Sequence, residues 1–218
     1  MKSIFAFDFS INKPAMCAYI NNDIYFYTWP LNLDEKSEIH LKNSGVKVKN
    51  RNLNPINKKD YNSHTLVVEH IKRSSDLINL IINDIKKLID DHNININDII
   101  ISTEGLSFGS KGDATLNLAA YKQVFLNELY KLGIENIKTY SPITIKSVAG
   151  CSGKGSQSKN NMIDAITNID SIGTSHMFIK MLKFDPSYLK KKTSFMATVD
   201  DLVDAYWCLQ TTIVKENL

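Results

Sequence analysis

Apolar and polar positions along this chain fall into clearly different patterns. Residues 4–9, Ile-Phe-Ala-Phe-Asp-Phe, form a dense apolar run of strand length, rich in aromatics, with one acid inside it, Asp8. Apolar runs at 15–20 and 24–29 follow, separated by Asn21-Asn22-Asp23, a cluster that predicts a hairpin turn. Asn12-Lys13-Pro14 supplies another tight turn, so 4–29 reads as a three-strand antiparallel meander. From 30 to 61 the pattern is polar and without period. It mixes Lys42, Lys47, Lys49, Arg51, Lys58 and Lys59 with Asp34, Glu35, Glu38 and Asp60. A connection of that length is either a solvated insertion or a basic flap that contacts phosphates. Periodicity returns after the capping pair Asn62-Ser63. Leu66, Ile71, Ile78, Ile81, Ile82, Ile85 and Ile89 keep helical spacing up to Asp90-Asp91-His92, and their stripe faces a core or a dimer partner.

Residues 99–104, Ile-Ile-Ile-Ser-Thr-Glu, predict a buried strand in a central, parallel position that ends in Glu104. A Gly-rich loop over 105–112 carries Phe108 and Lys111. Asp113 is placed to cap a helix over 114–132, which Gly133 closes. A short strand over 134–140 leads into Ser141-Pro142, and Pro142 suits the first turn of a helix through Val148. A Gly/Ser/Lys loop over 150–156 precedes a helix over about 157–169. Residues 171–197 are Lys-rich, with Lys180, Lys183 and Lys190-Lys191-Lys192, and predict a second insertion holding one short helix. Thr198 is placed to cap the last helix, whose core stripe is Leu202, Ala205, Tyr206, Leu209 and Ile213.

Composition narrows the class. The 218 residues are 43% apolar and 22% charged, which suits one globular domain spanning 1–218. No stretch is long and apolar enough to cross a bilayer, and no signal-peptide core precedes the first strand. Cys17, Cys151 and Cys208 lack CxxC spacing and suit reduced thiols, so a cytoplasmic location without membrane association is expected. The net charge of +3 is compatible with a nucleic-acid partner.

The candidate chemistry lies in four acids. Asp8 and Glu104 sit on strands, and Asp201 and Asp204, spaced i, i+3, share one face of the last helix. Asp8 could instead cap the Ser10–Asn12 turn, and the helical pair could compensate the helix dipole. If the strands are neighbours and the helix crosses their ends, the four carboxylates converge. They would then repel unless divalent cations occupy the cluster. Oxygen ligands without His or Cys select Mg²⁺, with Mn²⁺ able to substitute, over Zn²⁺. Two such ions about 4 Å apart activate a water and stabilise the leaving oxygen of a phosphodiester. Asp200 reads as a neighbour of the cluster rather than a ligand.

In this order, the motifs resemble the RuvC family of Holliday-junction resolvases, in a form extended as phage and viral relatives are. The resemblance spans most of the chain. It rests on Phe-Asp8-Phe-Ser10, on Ile-Ser-Thr-Glu104-Gly-Leu-Ser-Phe108, on Tyr140-Ser-Pro142-Ile-Thr-Ile-Lys146 with Gly155-Ser-Gln-Ser-Lys159, and on Asp201-Leu-Val-Asp204-Ala. It implies an RNase H-like α/β fold: a mixed five-stranded sheet with strands 1–3 antiparallel and helices on both faces. It also implies a homodimer that cuts branched DNA, four-way junctions and possible Y-forks, with Mg²⁺. By the resemblance Asp8, Glu104, Asp201 and Asp204 are catalytic metal ligands, and Lys146 and Lys159 contact the scissile or nearby phosphates, Lys159 within the catalytic set. Lys154 and Lys111 are further DNA-binding candidates. Phe108 stands one position past the family aromatic that stacks on junction bases. Each lysine could instead be a solvated surface residue, and Phe108 a core residue.

Other readings are kept. One is a different nuclease of the same fold, terminase-type or RNase H, although the chain carries no motor domain. Another is a non-catalytic junction-binding protein. An actin-like kinase fold is a third, but it needs two lobes, and 218 residues do not supply them.

Overall fold

The computed structural model of the chain describes residues 2–54, 63–105, 113–152, 159–168, 176–184 and 194–218. The chain opens with β1, Ser3–Asp8, β2, Ala15–Ile20, and β3, Asp23–Thr28. Next come α1, Glu35–Asn43, β4, Lys47–Val48, and the long α2, Ser63–Asp91. A 3₁₀ turn leads to β5, Ile99–Glu104, then α3, Asp113–Lys131, β6, Ile137–Tyr140, and α4, Pro142–Val148. The described chain closes with α5, Lys159–Asn168, α6, Met177–Phe184, and α7, Ser194–Glu216.

The sheet order is β4-β3-β2-β1-β5-β6. The expected meander is present, with β1–β2 and β2–β3 antiparallel. Its hairpin turn holds Asn21 and Asn22 at φ of 51° and 71°, left-handed conformations that Asn tolerates and a two-residue turn requires. β5 lies parallel to β1, and β6 parallel to β5. The sheet therefore has six strands rather than the expected five.

The sixth strand comes from the segment read as unpatterned. Within residues 30–54, α1 is capped by Asp34, whose Oδ1 accepts the Ser37 N–H at 2.9 Å, and β4 then pairs parallel with β3. The pattern hid both elements because α1 buries only Leu41 and β4 is two residues long. Two of the segment's cations bond back onto the fold: Arg51 is half-buried, and the exposed Lys49 reaches a buried carboxylate with its ammonium. Lys49 ion-pairs with Asp84 at 2.5 Å, and Arg51 donates to the carbonyls of Trp29, Ile11 and Asn12. Burial lowers the Arg51 pKa to about 10. Lys58 and Lys59 lie outside the described residues.

Strand alternation divides the core into two layers. Ile4, Ala6, Ala15, Cys17, Phe26 and Ile100 face α7 together with α4, α5 and α6. Phe5, Phe7, Met16, Ala18, Ile99 and Ile101 face α2 and α3. On that second face Phe125 meets Phe7 edge-on at 4.9 Å and stacks on Phe9 at 5.1 Å, contacts worth about 0.5–1.5 kcal/mol beyond burial. α3 ends as expected at Gly133, whose φ of 84° lets the Ile134 N–H turn back to the Leu129 carbonyl. The isoleucine stripe of α2 is core from Leu77 to Leu88, whereas Val67, Val68 and Ile71 remain exposed.

The last helix departs from expectation at its start. α7 begins at Ser194, so Thr198 is a buried residue inside it and not its cap. All three cysteines are free and buried. Among the described residues no helix is long and apolar enough to cross a membrane.

Candidate active site

The pairing of β1 with β5 fixes the first half of the site. Phe7 stands opposite Thr103, so Asp8 and Glu104, one residue further, end two adjacent parallel strands. Neighbouring strands are about 4.8 Å apart. Alternation carries Asp8 to the side of Ile4 and Ala6, and Glu104 to the side of Ile100 and Ser102, which is the α7 face for both. Both acids are half-buried.

α7 is registered on that face by a polar seam. Ser102 Oγ lies 2.9 Å from Cys208 Sγ, and the Thr212 hydroxyl donates to Ser102 Oγ at 2.7 Å. The carboxylates of Glu104 and Asp8 both act on Cys208. Its pKa is pushed up to about 12, chiefly by burial, with those two acids adding to the rise while Ser102 and Lys122 oppose it. Asp204 lies one turn before Cys208 and Asp201 about two turns before it, so all three share one stripe of the helix. Asp200, Asp201 and Asp204 are half-buried, and none is in the first turn of α7. The helix-dipole explanation loses its force at that distance from the terminus.

The donor chemistry fits a hard divalent cation. The candidate ligands are carboxylates, and the neighbouring Cys208 stays a neutral thiol. Asp8 and Glu104 end adjacent strands. Among the described residues, however, no group of three or more His, Cys, Asp or Glu side chains stands close enough to share a metal ion.

The site also holds a residue the sequence reading missed. Lys122 of α3 is 8% exposed, and its ammonium donates to the Glu104 carbonyl. Burial lowers its pKa, while Cys208, Glu104 and Asp8 pull it back up. A signal was available, because Lys122 interrupts the apolar stripe formed by Leu118, Tyr121, Phe125 and Leu129.

Arg51 is the second missed residue. Its hold on the Ile11 and Asn12 carbonyls, with the Lys13 N–H bonded to Ser10 Oγ at 3.0 Å, fixes the loop that leaves Asp8. Lys146 lies half-buried in the last turn of α4, which packs on α7. Lys159 opens α5, but its side chain, like Phe108, Lys111 and Lys154, lies outside what the structure describes.

No protein-family model matches the chain, and no curated protein does. Among solved structures it is similar to T. thermophilus RuvC in complex with Holliday junction substrate. The TM-score is 0.52 at 6% identity, over 99% of this chain and 96% of that one. A second structure, Thermus thermophilus RuvC, gives 0.48 at 8% identity over the same shares. The likeness to the first shows the fold: this chain has the mixed-sheet, RNase H-like architecture of RuvC.

Proposed function

We propose that this chain is a Mg²⁺-dependent endodeoxyribonuclease that nicks branched DNA, four-way junctions above all. The observation that carries the proposal is the placement of Asp8 and Glu104 side by side at adjacent parallel strand ends, on the face crossed by the acid-bearing stripe of α7. The RuvC-like fold supports the substrate class, since the similar solved structure holds a Holliday junction.

Asp8 and Glu104, with Asp201 and Asp204 from α7, are the residues that would hold Mg²⁺. When bound, the ion supplies an activated water and charge stabilisation for the leaving oxygen. The chain's own part is to present and align. Arg51 holds the loop after Asp8, and the Ser102–Cys208–Thr212 seam holds α7 in register. Lys146, together with Lys159, would neutralise backbone phosphates as point charges. A homodimer would set two such sites against the two-fold symmetry of a junction. The exposed apolar residues Val67, Val68, Ile71, Leu116 and Val124 of α2 and α3 are a surface that a second copy would cover.

The test is cleavage of labelled four-way, three-way and linear DNA with Mg²⁺ or with EDTA. Nicking confined to branched DNA and lost in EDTA is the expected result. Asp8→Asn should lower the cutting rate on the order of a thousandfold or more while junction binding persists. Wild-type cutting by that variant, or equal attack on linear duplex, would overturn the reading. Retardation without any cutting would make the protein a junction binder instead.

A further inference from the structure

The site described above contains a charge that the nuclease reading does not use. Lysine is almost never fully buried unless it is paired. Lys122 occupies the apolar face of α3 between Leu118 and Phe125, where the neighbouring positions of the stripe are apolar. Its ammonium has three donors, and among the described residues it donates to the backbone carbonyl of Glu104. Through space it is attracted by Cys208, Glu104 and Asp8; since Cys208 stays a neutral thiol, the charged partners are the two carboxylates, one of them on the residue whose carbonyl the ammonium touches. Asp84, the other buried charged residue among those described, has its own partners in Lys49 and Trp29, so it does not compensate Lys122.

We propose that Lys122 is a positioning residue whose ammonium is the built-in counter-charge that keeps the Asp8 and Glu104 carboxylates side by side at the ends of β1 and β5. Two carboxylates at adjacent strand ends repel each other, and the repulsion grows where water is partly excluded. A cation fixed beneath them from α3 offsets that repulsion before anything binds. The same contact ties the last residue of β5 to α3, so the pair is held both electrically and mechanically. The purpose of the arrangement, a carboxylate pair ready for a cation, rests on the nuclease reading. The charge arrangement itself does not.

The test is a double-mutant cycle in EDTA, read as melting temperature, with no DNA and no cleavage. Lys122→Gln removes the charge and leaves an amide donor one bond shorter in reach. It should lower Tm by roughly 5 °C. Asp8→Asn in the wild-type background should leave Tm unchanged or lower it. Introduced into Lys122→Gln, the same substitution should raise Tm and recover most of the loss, because the repulsion that Lys122 offset is gone. Additive effects in the two backgrounds would overturn the proposal and leave Lys122 a simple tether for the strand end. If Lys122→Gln alone does not fold, the double variant is made directly: a folded double variant supports the proposal, and an unfolded one overturns it. A protein that fails to cut DNA would still show this coupling, and an additive cycle would leave the cleavage reading untouched, so the two failures are distinguishable.

Discussion

Asp84 shows how a single polar residue can tie a helix to a sheet. It sits on the core face of α2, 4% exposed, with Oδ2 accepting the Trp29 indole N–H at 2.8 Å and Oδ1 accepting from Lys49 at 2.5 Å. Trp29 is itself fully buried at the end of the meander. Asp84→Ala leaves a buried indole donor without an acceptor and should cost about 2 kcal/mol, read as a lower denaturant midpoint with unchanged slope. Trp29→Phe should cost less in this respect, since Asp84 keeps Lys49. Residues of this kind explain what the chain did and did not disclose by inspection. The strand-end positions of Asp8 and Glu104 were readable because an acid inside a short apolar strand is conspicuous, and a strand period of two fixes its face. Asp84 and Lys122 were not, because a helix is read by its apolar stripe, and a polar residue within the stripe is passed over as noise. Arg51 was hidden for another reason: its partners are backbone carbonyls 22 to 40 residues away, and no residue pattern encodes those.

Among the elements, the long ones were legible and the short ones were not. The meander, α2, α3 and α4 came from strong periods or strong caps, Pro142 above all, with Ser141 Oγ accepting the Thr144 N–H. β4 and α1 bury too little to leave a period. The start of α7 was misplaced because Thr198 looks like a cap in sequence, whereas here it is packed within the helix. That four-residue extension moves the α7 acids away from the terminus and so changes what they could be for. The short α6 offers a test at this scale. His176 precedes it, and Nδ1 accepts the Phe178 N–H at 3.1 Å while the ring packs edge-on against Phe26 at 5.0 Å. Burial lowers its pKa below the ordinary 6.5. The folded state therefore favours the neutral ring, and its contribution is complete above about pH 7. It is lost as pH falls through 6.5 toward the lower folded value, where the unfolded chain binds the proton more readily. Wild-type Tm should drop as the pH falls below about 6.5, and His176→Asn, which keeps a capping acceptor, should flatten that part of the profile.

For the whole molecule, the net charge of +3 is small, and several described cations are committed internally: Lys49 to Asp84, Lys42 to Glu38 and Arg73 to Glu69. Junction affinity should therefore depend on a few lysines rather than on a broad basic field. Binding measured across a salt series should fall linearly in log–log form with a slope of about −0.9 per phosphate contacted, and Lys146→Ala should reduce that slope by about 1. An unchanged slope would remove Lys146 from the DNA face.

The order of the six strands has one more effect. Of the two margins of the sheet, one is a two-residue strand and the other a four-residue strand whose Lys138 is anchored to Glu216 of α7. Such stubs give an incoming β-segment almost no ladder to extend, which is how natural sheets avoid fibrous growth. Any pairing of copies is thereby steered onto helical surfaces, and partial fraying at either margin gives little footing for runaway polymerisation.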